Sequence, residues 1–228
     1  MGTDDFFKKK HAELEERKKE RLTPKPNSFL IVSEGEKTEP LYFEGLANYI
    51  NDKYAAGNRS RPIIQTSGEG KCTVSLVNEA ERIVSRAKIM YSQVWVVFDK
   101  DDFDDFDEAV DLCEKKGFKS AWSNQSFEYW IFLHFQFSDS DLHRDAWCNK
   151  LDEIFKNNNI PNGYEKNNPQ IFDIVTSKGS LKAAVSNANR IEESHSQKGI
   201  ENPSKRKPGT TVHHLIAELK EYLKDLMF

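Results

Sequence analysis

The chain of 228 residues lacks the features on which several classes of protein depend. Its three cysteines, Cys72, Cys113 and Cys148, are far apart and odd in number, which argues against a disulfide framework or a paired zinc motif and favours free thiols in a reducing compartment. No stretch approaches the roughly 18 to 20 apolar residues of a membrane-spanning helix, and the first residues lack the apolar core of a secretion signal. We therefore expect a cytoplasmic protein without a membrane partner.

A strong excess of positive charge is also missing. The formal net charge is -4 and the isoelectric point is about 5.9, so any contact with nucleic acid must depend on local basic patches. Hydrophobic residues make up 37% of the chain and charged residues 31%. This low apolar share fits an α/β core with charged surface helices better than a compact all-β body.

Short apolar runs alternate with helical patterns along the chain. The runs FLIVS, RPIIQTSGEG, VWVVFDKDD and KSAWSN predict strands, and the amphipathic segments between them predict helices. This order predicts an α/β fold in which helices flank a mostly parallel central sheet. We expect a charged helical arm over residues 1–27, a core over 28–138, and a helical C-terminal extension over 139–228 that packs on the core. The apolar run SFEYWIFLHF is compatible with a buried helix or a strand.

Acidic side chains follow two of the predicted strands. Glu34 comes after the first strand, and Asp99 and Asp101 end the third. Ligands of parallel sheets bind beyond the carboxyl ends of the strands, and Mg²⁺ is held by carboxylates together with water and phosphate oxygens. The pattern therefore fits metal-assisted phosphodiester chemistry, with Gly35 allowing close approach of a phosphate. The alternative is an ordinary acidic helix start, since DDFDDFDE follows at once.

Further candidates each have a simpler alternative. Glu128 is either a fourth acidic ligand or the first-turn acid of a helix whose aromatic residues pack in the core, and His134 is more typical of a core residue. Lys178 and the loop SKRKPG are either phosphate contacts or solvated surface. The stretch SGEGKCT departs from a Walker phosphate loop at Gln65 and Cys72, so an ATPase would be a separate polypeptide.

In combination these stretches resemble known proteins. A strand that ends in Glu-Gly, followed by a strand that ends in Asp-x-Asp, is similar to the Toprim domain. The wider stretches FLIVSEGEKTEPLYFEGL, VWVVFDKDD, SNQSFEYWIFLHF and NPS…TTVHHLIAEL resemble the RloB family, from about Ser28 to Leu219. The chain departs from a plain Toprim pattern in the charged residues Glu36, Lys37 and Glu39, which follow the Glu-Gly pair directly.

The resemblance implies a Toprim-like fold and a nuclease that depends on Mg²⁺ or Mn²⁺. It implies metal binding by Asp99 and Asp101, and metal or acid/base chemistry at Glu34, with Glu128 as a further candidate for catalysis. Gly35, Lys37 and Lys178 are the candidate contacts to a nucleic-acid substrate, which would be RNA such as tRNA, or DNA. Members of the family are typically encoded beside an ABC-type ATPase in bacterial abortive-infection or restriction-associated loci, so the resemblance also implies anti-phage defence with an ATPase partner.

Two other functions fit the same residues, and the sequence is also compatible with an oligomer. One is a phosphatase or phosphotransferase in which Asp99 of the Asp-x-Asp pair is the nucleophile, although that motif normally follows the first strand. The other is a Toprim scaffold that binds its ligand without chemistry. Such a scaffold has no need of all three acids.

Overall fold

The computed structural model describes residues 24–35, 37–54 and 62–227. In these ranges the chain forms a five-stranded sheet with the order β2-β1-β3-β4-β5. The strands are β1 Lys25–Ser33, β2 Ile63–Gly68, β3 Tyr91–Asp99, β4 Lys119–Asn124 and β5 Gly209–Thr210. The helices are α1 Thr38–Lys53, α2 Thr73–Arg86, α3 Phe106–Lys115, α4 Phe127–Leu133, α5 Arg144–Asn157, α6 Ile171–Lys178, α7 Leu181–Gln197, α8 Val212–Glu218 and α9 Lys224–Met227.

The first four strands run parallel, and β1 and β3 are neighbours in the middle of the sheet. Each of the first three is followed by a helix that returns the chain to the same end of the sheet, as parallel pairing requires. The predicted α/β fold with a mostly parallel central sheet is therefore confirmed, and it is consistent with a Toprim-like arrangement. Residues 1–23 of the expected helical arm lie outside the described part of the chain.

Alternating side chains of β1 divide the core into two layers. Phe29 and Ile31 pack on the side that holds α1 and α4, while Leu30 and Val32 pack against α2 and α3. The C-terminal helices enlarge the first layer, with Trp147 among its fully buried residues. Both faces of the central strands are therefore covered, which explains why these strands are almost continuously apolar.

The structure settles one open choice and adds two elements. The run SFEYWIFLHF forms helix α4, in which every residue is buried. The chain after residue 139 is not purely helical, because Gly209–Thr210 pairs antiparallel with β4 as the edge strand β5. Helix α6 was also not expected. The division into an arm, a core and an extension stays a prediction.

In the described part of the chain, no helix is long and apolar enough to cross a membrane.

Helix α1 depends on a glycine where it packs against α6. A Cβ atom at Gly45 would lie 2.6 Å from the Cβ of Phe172, which is fully buried. We expect Gly45→Ala to lower the free energy of unfolding by about 1 to 2 kcal/mol, because overpacking outweighs the higher helix propensity of alanine. Urea denaturation measures this. Asn48→Ala on the exposed side of the same helix is the control, and equal stability of both variants would contradict the packing.

Candidate active site

The parallel register places two of the predicted acids side by side. Ser33 is opposite Val97, so the chain leaves β1 next to the end of β3. The backbone N–H of Glu34 donates to the carbonyl of Val97 at 2.9 Å, and the N–H of Asp99 donates to Oε2 of Glu34 at 3.1 Å. Glu34 and Asp99 therefore adjoin at the carboxyl edge of the sheet, because β1 and β3 are neighbours.

Asp99 is oriented by the helix that follows β4. Its Oδ2 accepts a hydrogen bond from the backbone N–H of Phe127 at 3.0 Å. The side chain of Asp99 is largely buried, and the next residue, Lys100, bonds through its N–H to the carbonyl of Ser123. The end of β3 is thus held on both sides. One oxygen of the Asp99 carboxylate is fixed by the hydrogen bond from Phe127, and the other accepts no hydrogen bond from the described residues.

Asp101 lies in the same turn, in the left-handed region at φ 39°. Aspartate tolerates this backbone conformation better than most residues do. The Asp101 N–H donates to the carbonyl of Gln125 at 3.2 Å. The carboxylate oxygen Oδ1 lies 2.7 Å from a guanidinium nitrogen of Arg144. Asp101 therefore faces the predicted site while it is paired with a cation from α5.

Glu128 is a buried acid with two partners. It lies in the first turn of α4 and is 4% exposed. Its Oε1 accepts a hydrogen bond from the Tyr164 hydroxyl at 2.9 Å and lies 3.2 Å from Nζ of Lys166. Glu128 is thus a first-turn acid within a packed helix and also a member of the acidic cleft. The same helix holds His134 in the core, where burial lowers its pKa to about 4.

These side chains border a single cleft of about 380 Å³. Six of the seven residues predicted for catalysis or substrate contact lie on it. Lys178 does not, since it ends α6 and is exposed. The cleft is lined by Glu34, Gly35, Lys37, Thr38, Glu39, Asp99, Asp101, Ser126, Glu128, Arg144, Asp145 and Lys166. The acids at the sheet edge thus lie opposite the basic side chains of Arg144 and Lys166, which come from later in the sequence.

The carboxylates are crowded enough to hold protons. Burial raises the pKa of Glu34 to about 8, against the opposing effect of the hydrogen bond from Asp99. Burial, followed by repulsion from Glu39, Glu128 and Glu34, raises the pKa of Asp99 well above its usual range. Burial and the charge of Glu128 raise the pKa of Glu39 to about 7. The site therefore has more negative charge than its own cations neutralise.

This donor set fits a hard divalent cation. Carboxylate oxygens are the ligands that Mg²⁺ and Mn²⁺ prefer, and a bound cation removes the repulsion that raises these pKa values. The hydroxyl of Ser126 also lines the cleft, is buried, and has no hydrogen-bond partner among the described residues. Glu34 and Asp99 are joined by the hydrogen bond from the Asp99 N–H to the Glu34 carboxylate, whereas Asp101 has Arg144 as its present partner.

Sequence reasoning missed several residues of the cleft or its border, among them Glu39, Arg144, Tyr164 and Lys166. The sequence did give a reason to notice Glu39, because it is one of the charged residues that follow the Glu-Gly pair. It gave no such reason for Arg144, Lys166 and Tyr164, which come from the segment after residue 139. Their position depends on a contact between distant residues, in which the Thr38 hydroxyl donates to the carbonyl of Lys166 at 2.8 Å.

Gly35 has a second role beside the one predicted for it. A Cβ atom at Gly35 would overlap the carboxylate of Glu39. The glycine therefore leaves the space in which this acid lies against the turn. Whether the same glycine also lets a phosphate approach stays a prediction.

The Tyr164 hydroxyl offers a test of how firmly Glu128 is held. We expect Tyr164→Phe to lower the free energy of unfolding by about 1.5 to 3 kcal/mol, because a buried carboxylate loses a donor. Urea denaturation measures this. Tyr222→Phe is the matched control, since the structure assigns no hydrogen bond to that hydroxyl. Equal stability of the two variants would contradict the bond to Glu128.

Comparison with known proteins gives one match. The family model described as RloB-like protein matches residues 29–219, which is most of the chain. No curated protein and no solved structure matches.

Proposed function

The chain belongs to the RloB-like protein family, and we propose that it is a Mg²⁺-dependent Toprim nuclease that cleaves nucleic acid. One observation carries the proposal: the half-buried Glu34 and the buried Asp99, at the ends of two adjacent parallel strands, converge on a cleft that also has basic side chains. An active site for phosphodiester cleavage needs both a cation and contacts to the negatively charged backbone. The cleft offers side chains for both.

Glu34 and Asp99 are the residues that we propose to hold the cation, because they adjoin each other and share a hydrogen bond. Asp101 lies on the same cleft and joins them when its pairing with Arg144 is exchanged. A bound Mg²⁺ polarises a phosphoryl oxygen and stabilises charge on the attacking or leaving oxygen. The hydrogen bond from Phe127 to Asp99 keeps that carboxylate in position.

Arg144, Lys166 and Lys37 are the proposed contacts to phosphate. Arg144 and Lys166 now pair with Asp101 and Glu128, respectively, and Lys37 is exposed at the start of α1. With a cation bound at the acids, these pairings would be weaker, and both basic groups would then be free to bind a phosphate oxygen. Arginine suits this role because its guanidinium binds two phosphate oxygens at once.

The remaining parts of the proposal rest on the family resemblance. We propose a cytoplasmic effector of bacterial anti-phage defence that an ABC-type ATPase partner regulates. The substrate class is RNA such as tRNA, or DNA. The cleft supports a polyanion in general, since its basic side chains contact phosphate rather than bases.

The test is a panel of tRNA, single-stranded DNA, duplex DNA and a small phosphate ester, each with Mg²⁺, Mn²⁺ or EDTA. The panel is run with the protein alone and with the ATPase encoded beside it. We expect metal-dependent cleavage of one nucleic-acid class. Turnover of the small ester alone, with a phosphorylated Asp99, would favour the phosphatase instead. Binding without cleavage in every mixture would favour the inert scaffold.

A further inference from the structure

A second cluster of metal-ligating side chains lies apart from the acidic cleft. It consists of Glu192 on α7 and of His213 and His214 at the start of α8. Among the described residues, these three form the one group whose ligand atoms all lie within 4.8 Å of one another. None of the three lines the acidic cleft. The cluster therefore needs an explanation of its own.

The two imidazoles converge on one carboxylate oxygen. Nε2 of His213 lies 3.0 Å from Oε2 of Glu192, and Nε2 of His214 lies 2.9 Å from the same atom. Zinc binds nitrogen and oxygen ligands at about 2.0 to 2.2 Å, so two ligands of a tetrahedral ion are about 3.3 Å apart. The two nitrogen–oxygen distances would therefore lengthen by only a few tenths of an ångström around an ion, and the two nitrogens already lie within 4.8 Å of each other.

The ligand types differ from those of the acidic cleft. Two imidazole nitrogens and one carboxylate favour a first-row transition metal of the zinc class, whereas Mg²⁺ favours oxygen alone. His213 is buried, while the side chain of His214 is 46% exposed. The cluster thus reaches the surface on one side, where solvent can supply a further ligand.

We propose that Glu192, His213 and His214 form a His₂Glu site for a transition-metal cation of the zinc class. The site joins α7 to the start of α8, next to the segment that supplies β5. Hydrogen bonds hold that segment on the sheet, among them the Thr211 N–H to the carbonyl of Trp122 at 2.8 Å and the contact of His195 Nε2 with the carbonyl of Pro208 at 2.7 Å. A bound ion stabilises this edge of the sheet, because it binds the folded chain.

The test compares Zn²⁺ binding by the full chain, His214→Ala and His143→Ala. His214 is exposed enough for the variant to fold, and His143 is a second exposed histidine, 54% exposed, outside the cluster. Isothermal titration is done under reducing conditions with excess Mg²⁺, which competes for the acidic cleft. Metal content after dialysis and the shift of the melting temperature on adding Zn²⁺ are measured on the same samples.

We expect the wild-type chain and His143→Ala to bind one more Zn²⁺ than His214→Ala, or to bind it at least about tenfold more tightly. Even residues behind a ligand change metal affinity by about 10- to 100-fold, so losing a ligand has at least this effect. Glu192→Gln, which keeps the shape of the side chain, is expected to weaken binding as well. Equal Zn²⁺ binding by all four proteins, or none by the wild type, would overturn the proposal. None of these measurements depends on nuclease activity, so the test remains valid even if the protein does not cleave nucleic acid.

Discussion

Asp99→Asn is expected to reduce metal-dependent cleavage by at least about a thousandfold, because a cation contributes several kcal/mol to stabilising the transition state. The asparagine still accepts the hydrogen bond from Phe127 through its amide oxygen, so the fold around the site is kept. Only the negative charge at the end of β3 is lost. The measurement is the rate of cleavage of the best substrate in saturating Mg²⁺.

The same variant is expected to be more stable than the wild type in EDTA at pH 8. Burial and neighbouring acids raise the pKa of Asp99, so the folded chain holds this proton more tightly than the unfolded chain does. Asparagine has no proton to hold. We expect a higher melting temperature, by about 2 to 4 °C for each kcal/mol gained in a domain of this size. The gain should shrink as the pH falls toward about 4 and disappear at lower pH, where the unfolded aspartate is protonated as well.

Asp111→Asn is the matched control for both measurements. Asp111 is exposed on α3 and lines no part of the cleft. We expect normal cleavage and unchanged stability for it. If the Asp99→Asn variant cleaves as fast as this control, Asp99 takes no part in catalysis. A variant that loses both cleavage and stability would instead assign Asp99 a structural role.

The affinity of the cleft for Mg²⁺ is expected to rise about tenfold per pH unit between pH 6 and 8, for each proton that the metal displaces. Glu34 has a pKa of about 8 without metal, so it is mostly protonated at pH 6. A cation must displace that proton, and this becomes easier as the pH approaches 8. Titration with Mn²⁺ or Mg²⁺ at several pH values measures the slope, and proton release gives a second readout.

The effect of pH on stability has the opposite sign in the absence of metal. The pKa of Glu34 is raised in the folded chain from 4.5 to about 8. Between these values the folded chain binds more protons than the unfolded chain, so stability falls as the pH rises through the window. Excess Mg²⁺ is expected to flatten this dependence above pH 7, because the metal-bound folded chain, like the unfolded chain, then holds no proton at Glu34. Glu34→Gln should flatten both dependences, and equal affinity at pH 6 and pH 8 in the wild type would contradict the proton displacement.

The strand pattern was enough to predict the α/β fold and to place Glu34 and Asp99 at the same edge of the sheet. Both strands are nearly continuous apolar runs, and each ends in an acid, so a parallel sheet brings the acids to one edge. Adjacency of the two strands was not fixed by the sequence, because the order of strands in a sheet depends on which crossovers pack best. The structure supplies that order, with β1 beside β3.

The basic side of the cleft could not be predicted in this way. Arg144 and Lys166 lie in a helix start and a loop without a distinctive pattern, and they reach the acids through contacts between distant parts of the chain. The histidines of TVHHLIAEL were visible as part of a family motif, but nothing local indicated that Glu192 would face them. Periodicity identifies elements, whereas contacts across the fold follow from packing.

The central claim is that the acidic cleft holds the cation on which cleavage depends. The most direct test is anomalous diffraction from crystals soaked in Mn²⁺, grown from protein that cleaves nucleic acid in Mn²⁺. The account predicts a peak bonded to oxygens of Glu34 and Asp99, which is absent in Asp99→Asn crystals. A wild-type map without a peak at these two carboxylates, from protein that cleaves in the same Mn²⁺ concentration, would contradict it.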